Sequence, residues 1–348
     1  MMILGAVTRL TGSGLSMVQW EPLMGVIPPL NKAEWEETFQ LYQQYPEYKL
    51  KNLHMSLDEF KSIFWFEYSH RLLGRFIGIL FLIPFLWFLV KGWLDRPLAF
   101  KLAGMFVLGG LQGLMGWYMV KSGLVDNPRV SQYRLTAHLA LAVVIYAYIF
   151  WVAMGLLFPK AKNPLPAAAE VLQRTSLLVT GFIFITLLSG GFVAGTRAGF
   201  TFNTFPLMAG RFYPEGMYVL DPFWKNWFEN IATVQFNHRL LATLLFFAVL
   251  LFWWRARKIP LPFSIRAGFH LLAAAVVLQV SLGISTLLLA VPVSLAAAHQ
   301  AGGVLLFTVS LYLNNRLARR PEGAGIASHH ASFTRPAAQA AAGTKGSE

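Results

Sequence analysis

Two short segments of this 348-residue chain repeat each other, and each carries a histidine where histidine is expensive. The first reads Glu67-Tyr-Ser-His70-Arg71-Leu-Leu-Gly, and the second reads Gln235-Phe-Asn-His238-Arg239-Leu-Leu-Ala. Each is followed by a Gln-x-x-x-Gly helix, with Gln112 and Gly116 in one copy and Gln279 and Gly283 in the other. Each copy closes with a second histidine, His138 or His299. All four lie in apolar runs of membrane length, where an ionisable side chain is rare and marks a working site. A bis-imidazole haem needs paired histidines on facing helices, one nitrogen above the iron and one below. The repeat therefore predicts two haem sites, one on His70 and His138 and one on His238 and His299.

Depth supports the pairing. Each histidine falls about six or seven residues into its span, which at 1.5 Å per residue is about 9–10 Å below the helix end. The four spans run in the same direction, so the two histidines of each half can face each other across a bundle. A single buried histidine is as readily a structural hydrogen-bonding group. That reading does not account for four at repeated positions and common depth. His54 in a loop, His270 at the start of a span, and His329 and His330 in the tail lack this pattern and read as solvated or structural.

The neighbours divide the two sites. Glu67 precedes His70 by three positions and shares its helix face. Its counterpart, Gln235, cannot ionise. A carboxylate beside a haem can move protons or stabilise a cationic intermediate, so chemistry is expected only in the first half. The plainer role for Glu67 is an ion pair with Arg71 or Arg75. Arg71 and Arg239 follow the histidines directly and are expected at haem propionates; snorkelling to the interface is their plainer role. Gln112 and Gln279 are expected to bond across helices beside the sites. Gly113, Gly116 and Gly283 allow close approach of a helix or a flat macrocycle.

These residues need a scaffold that composition identifies. The chain is 56% hydrophobic, 15% aromatic and 13% charged. Too little charge is present to cover a soluble surface, so the chain reads as a polytopic membrane protein. Segments 65–90, 98–120, 133–158, 173–195, 232–254, 267–290 and 294–314 are long and apolar enough to span a bilayer. An eighth span is expected at the start, cut short, because Thr8-Arg9 aligns with Thr196-Arg197 and Pro22-Leu-Met24 with Pro206-Leu-Met208. The helix before Thr196 runs back to about residue 173, whereas seven residues precede Thr8. The true start is therefore expected upstream, or the first helix is incomplete.

The expected fold is an all-α membrane protein of eight transmembrane helices. It forms two tandem four-helix bundles related by a pseudo-two-fold axis along the membrane normal, since four spans per half give both halves one orientation. The halves are 1–158 and 173–314, joined by a basic, proline-rich loop, with a disordered tail over 315–348. Short surface helices are expected at 32–44 and 56–64. The net charge of +13 sits in loops. Loops 91–101, 159–174 and 254–266 hold 10 Lys and Arg in 40 residues, against 14 in 125 for segments 9–75, 121–134 and 196–239. The denser set marks the cytoplasmic side, so the C-terminus is expected inside and the histidines near the outer face. Membrane topology explains this basicity without a nucleic-acid partner. The absence of cysteine excludes disulfides, thiolate-ligated haem and Cys-held iron–sulfur clusters.

The segments Gly195-Thr-Arg-Ala-Gly-Phe-Thr-Phe-Asn-Thr-Phe-Pro-Leu-Met208, Glu67 to Arg71 and Gln235 to Arg239 resemble haem A synthase, in its cysteine-free proteobacterial and mitochondrial type. The resemblance covers residues 3 to about 315. It implies an oxidoreductase that converts the methyl group of haem O to the formyl group of haem A by successive hydroxylation, for cytochrome oxidase assembly. It implies haem b on His238 and His299, and substrate haem O on His70 and His138 with Glu67 as the essential acid. It also implies a bacterial inner-membrane location and haem O synthase, a farnesyltransferase, as a neighbour. Membrane lipid surrounds the chain, and no residue names the electron acceptor. Other members carry a cysteine pair that this chain lacks. A di-haem b-type electron carrier and a haem transporter or chaperone are the competing readings.

Overall fold

The computed structural model describes residues 1–19, 24–124, 128–158, 165, 166 and 168–318. Pro22 and Leu23, most of the linker between the halves, and the tail beyond 318 with His329 and His330 lie outside the described residues. Within them the chain is helical and has no strand, only one isolated bridge between Met208 and Arg211.

Among the described residues ten α-helices follow in order: α1 (Met2–Leu10), α2 (Lys32–Gln43), α3 (Pro46–Lys51), α4 (Leu57–Val90), α5 (Arg96–Gly123), α6 (Gln132–Leu157), α7 (Ala169–Thr196), α8 (Ile231–Ala256), α9 (Phe263–Leu288) and α10 (Val293–Leu317). Among the described residues, seven of these, α4 to α10, are long and apolar enough to cross a membrane. Short polar side chains start several of them. Asp95 accepts from Leu98 N at 2.8 Å and Asn230 from Thr233 N at 3.0 Å, satisfying backbone donors that a helix start leaves open.

One expected element is different. The helix expected over 56–64 is the first part of α4. Ser56 and Glu59 form a reciprocal capping box, and nothing after it breaks the helix before the apolar run begins. At 34 residues, α4 is about 50 Å long, well beyond the roughly 30 Å hydrocarbon core. Its first turns project from the membrane and bury Phe60, Phe64 and Tyr68 against Tyr42, Trp35 and Phe39 of α2. This aromatic layer caps one face of the protein.

In the second half, α7 packs on α8, α8 on α9, α9 on α10 and α10 back on α7, which closes a four-helix ring. Val249, Phe252, Phe269, Leu272, Val276, Leu306 and Leu313 fill it. In the first half, α1, α4, α5 and α6 pack in sequence. The halves meet where α6 crosses α7 and α10 and where α1 touches α10. Gly195 is required at that crossing, because a Cβ there would lie 2.6 Å from the Gln132 Cα. Tyr146 Oη and Thr308 Oγ1, 2.7 Å apart, tie the same interface. This arrangement fits the expected tandem bundles.

Candidate functional site

His238 is seven residues past the start of α8, and His299 is six past the start of α10. Helices α8 and α10 are diagonal in the ring, so their histidines meet across its interior. The ring centroids are 6.5 Å apart and the planes are 87° to each other. Metal–imidazole bonds are about 2 Å and each ring centre lies about 1 Å beyond its nitrogen, so two axial ligands of one iron put the centroids roughly 6 Å apart. The observed spacing meets that requirement. The Nδ1 atoms are engaged elsewhere: His238 Nδ1 lies 2.7 Å from Ser189 Oγ, and His299 Nδ1 lies 3.2 Å from Gln279 Nε2. A histidine that ligates metal through Nε2 donates from Nδ1, which Ser189 Oγ can accept; Gln279 Nε2 is itself a donor and does not supply such a bond to His299.

In the first half, His138 takes the position of His299. Gln112 Nε2 lies 3.2 Å from both its ring nitrogens and donates to its carbonyl at 3.1 Å. Both glutamines therefore sit beside the histidine of the next span, as the repeat predicts.

Glycines shape the pockets for all four rings. A Cβ on Gly5 would lie 3.0 Å from His70 Nε2. One on Gly116 would lie 3.2 Å from His138 Cε1, one on Gly190 3.2 Å from His238 Cε1, and one on Gly283 2.8 Å from His299 Cε1. Gly116, Gly190 and Gly283 lie on the span preceding their histidine, and Gly5 lies on α1, which packs on the His70 helix α4. Gly113 differs, since a Cβ there would meet no protein atom within 4 Å, so no helix approach depends on it.

The arginines bind the loop above each site. Arg71 Nη2 donates to the Met17 carbonyl at 2.8 Å and Nη1 to the Gln19 carbonyl at 3.1 Å. Arg239 makes the matching pair to Phe202 at 2.5 Å and Thr204 at 2.8 Å. Glu67 is 2% exposed. Its Oε1 accepts from Arg71 at 2.5 Å, and its Oε2 accepts from Ser16 Oγ at 2.8 Å and Met17 N at 2.7 Å. The ion pair weighed for Glu67 is thus formed with Arg71.

Comparison with known proteins places this architecture. The family described as "Cytochrome oxidase assembly protein" matches residues 1–311. A protein of Nitrosospira multiformis named "Heme A synthase" is 56% identical over 320 residues, covering 92% of this chain and 90% of that protein. "Heme A synthase COX15" of Homo sapiens is 45% identical, covering 92% of this chain and 80% of that protein, and its Arabidopsis thaliana namesake is 46% identical, covering 92% and 72%. This chain belongs to the haem A synthase family.

Four residues of this family member were missed by sequence reasoning. Ser189, Gly190 and Gly5 contact the histidines, and Ser16 contacts Glu67. The Ser189-Gly190-Gly191 run was a visible signal, but small residues in a span usually mean helix packing. The donor set itself fits haem. Among the described residues no cluster of three or more His, Asp or Glu exists that would hold a bare metal ion. Pairs of histidines suit a metal that brings its own equatorial nitrogens. Gln112 Oε1, Gln235 Oε1, Gln279 Oε1 and Arg239 Nε are buried beside these histidines without a hydrogen-bond partner, which favours a further polar group there.

Proposed function

We propose that this chain is a haem A synthase, a membrane oxidoreductase that converts the methyl group of haem O to the formyl group of haem A. The observation that carries the reading is Glu67, a buried carboxylate in one of two otherwise matched histidine sites, against Gln235 in the other. The first half takes haem O as substrate on His70 and His138. The second half holds haem b on His238 and His299, where that cofactor supplies one-electron transfer when bound. With water as the oxygen source, oxidising the methyl carbon to the formyl releases protons and electrons; an external electron acceptor takes the electrons, and Glu67 Oε2, reached by the Ser16 hydroxyl, is the group placed to accept the protons. Arg71 and Arg239 fasten the loops over the sites and exclude water. The propionate role keeps Arg239 Nε, buried and unpartnered, as its support.

The charge distribution of the loops supports a bacterial plasma-membrane protein with its histidines near the periplasmic face and a cytoplasmic C-terminus. Haem O is delivered by the enzyme that farnesylates haem, the expected neighbour.

The short Glu67–Arg71 ion pair favours a second reading, a di-haem electron carrier in which the carboxylate is only structural. The Glu67→Gln variant separates them, because it gives the first half the side chain of the second. In cells making haem O, the synthase reading expects haem O to accumulate and haem b to stay bound to the purified variant. An unchanged yield of haem A would sink it.

A further inference from the structure

Ser189 explains why His238 can serve as a permanent ligand. This inference rests on the reading of the second half as a haem b site. A serine hydroxyl has one proton and two acceptor lone pairs. Ser189 Oγ donates that proton to the Thr186 carbonyl at 2.7 Å, one turn back on α7. With its proton there, it accepts from His238 Nδ1, also at 2.7 Å. A neutral imidazole carries one proton, so the network assigns it to Nδ1 and leaves the Nε2 lone pair free. With Gly190 against Cε1, the ring is held from two adjacent positions of one helix.

The second histidine of each half is served differently, by a glutamine amide: Gln279 Nε2 lies 3.2 Å from His299 Nδ1. Gln112 Nε2 is equally distant from both nitrogens of His138, so it lies over the ring and selects neither tautomer.

We infer that Ser189 is the positioning residue of the second haem site: by accepting the Nδ1 proton of His238 it fixes the tautomer and direction in which Nε2 meets iron. An accepting partner at Nδ1 also makes the imidazole a stronger donor, which stabilises ferric iron and lowers the reduction potential.

The test uses full-length protein in detergent, with haem b affinity and midpoint potential as readouts. Ser189→Ala should weaken haem b binding roughly 10–100-fold and raise the midpoint potential. Ser189→Thr, which keeps the hydroxyl, should restore both to near the parent values. Parent-like affinity and potential in Ser189→Ala overturn the inference. So does a loss in Ser189→Ala that Ser189→Thr fails to repair, because that loss would reflect packing. A parent protein that purifies without haem b overturns the functional reading instead, and this inference with it.

Discussion

Glu67 and Gln235 hold the same stretch of their loops with opposite polarity. Glu67 accepts from the backbone of Met17, whereas Gln235 Nε2 faces the carbonyl of Phe202 at 3.4 Å. In both halves the following arginine, Arg71 or Arg239, donates to the carbonyl of that same loop residue. The repeat thus keeps one clamp and varies one charge within it. Glu67, the proposed proton acceptor, is also part of the fastening of its loop.

That difference predicts unequal consequences for the two arginines. Arg71→Met leaves an ionised carboxylate buried without its cation, a situation that costs about 3–5 kcal/mol. Both variants lose charged hydrogen bonds to two loop carbonyls, each worth about 1.5–3 kcal/mol before water replaces them, but Arg239→Met leaves no charge behind. Thermal unfolding in detergent should show the larger drop for Arg71→Met. Equal drops would mean that the Glu67–Arg71 ion pair adds nothing to the carbonyl clamp the two halves share.

The glycine pockets predict a graded series. Gly283→Ala puts a methyl 2.8 Å from His299 Cε1, so the ring must move. Gly190→Ala makes a 3.2 Å contact with His238, which a small shift relieves. Gly113→Ala enters open space. Haem b content per protein should fall most for Gly283→Ala, less for Gly190→Ala, and not at all for Gly113→Ala. A uniform effect would show that helix packing sets the outcome rather than ring position.

Much of this was legible in the chain. Each of the seven expected spans lies in its own helix, because a 20-residue apolar run has few alternatives. The four histidines stood out because the repeat supplied an internal comparison. What could not be read was the rotation of each helix about its axis. A helix apolar on both its lipid and its core faces carries almost no periodic signal. Ser189 was therefore indistinguishable from any packing serine until α7 was set against α8. The extension of α4 to Leu57 was hidden for another reason. Its first turns are polar enough to resemble a separate surface helix, and only the aromatic layer with α2 joins them to the span.

The same aromatic layer predicts a pH effect. Glu47 is 5% exposed, and burial pushes its carboxyl up to about 7, opposed by Lys51, the Tyr42 hydroxyl and Arg197 and reinforced by Glu67. Between its ordinary value of 4.5 and about 7, the folded state holds a proton that the unfolded state has lost. Stability of this layer is therefore highest at low pH, falls as pH rises through that window, and levels off above it, by about 3 kcal/mol in all. Hydrogen exchange across residues 32–51 should be slower at pH 5 than at pH 8, after correction for intrinsic rates. Glu47→Gln should abolish the difference. A pH-independent parent would show the carboxylate to be solvated.

The strongest prediction separates the two halves by pigment. His238 and His299 approach each other closely enough to share one iron, so losing either leaves five-coordinate or unbound haem. His238→Ala and His299→Ala should each abolish the low-spin haem b spectrum. His70→Ala and His138→Ala change the other site, where Gly5 and Gly116 hold the rings. They should leave that spectrum in place and stop haem A production, with haem O accumulating in the membrane. Absorption spectra of the four purified variants, with chromatography of extracted haems, measure both effects. Loss of haem b in a His70 or His138 variant that still unfolds like the parent would reverse the assignment of cofactor and substrate between the halves.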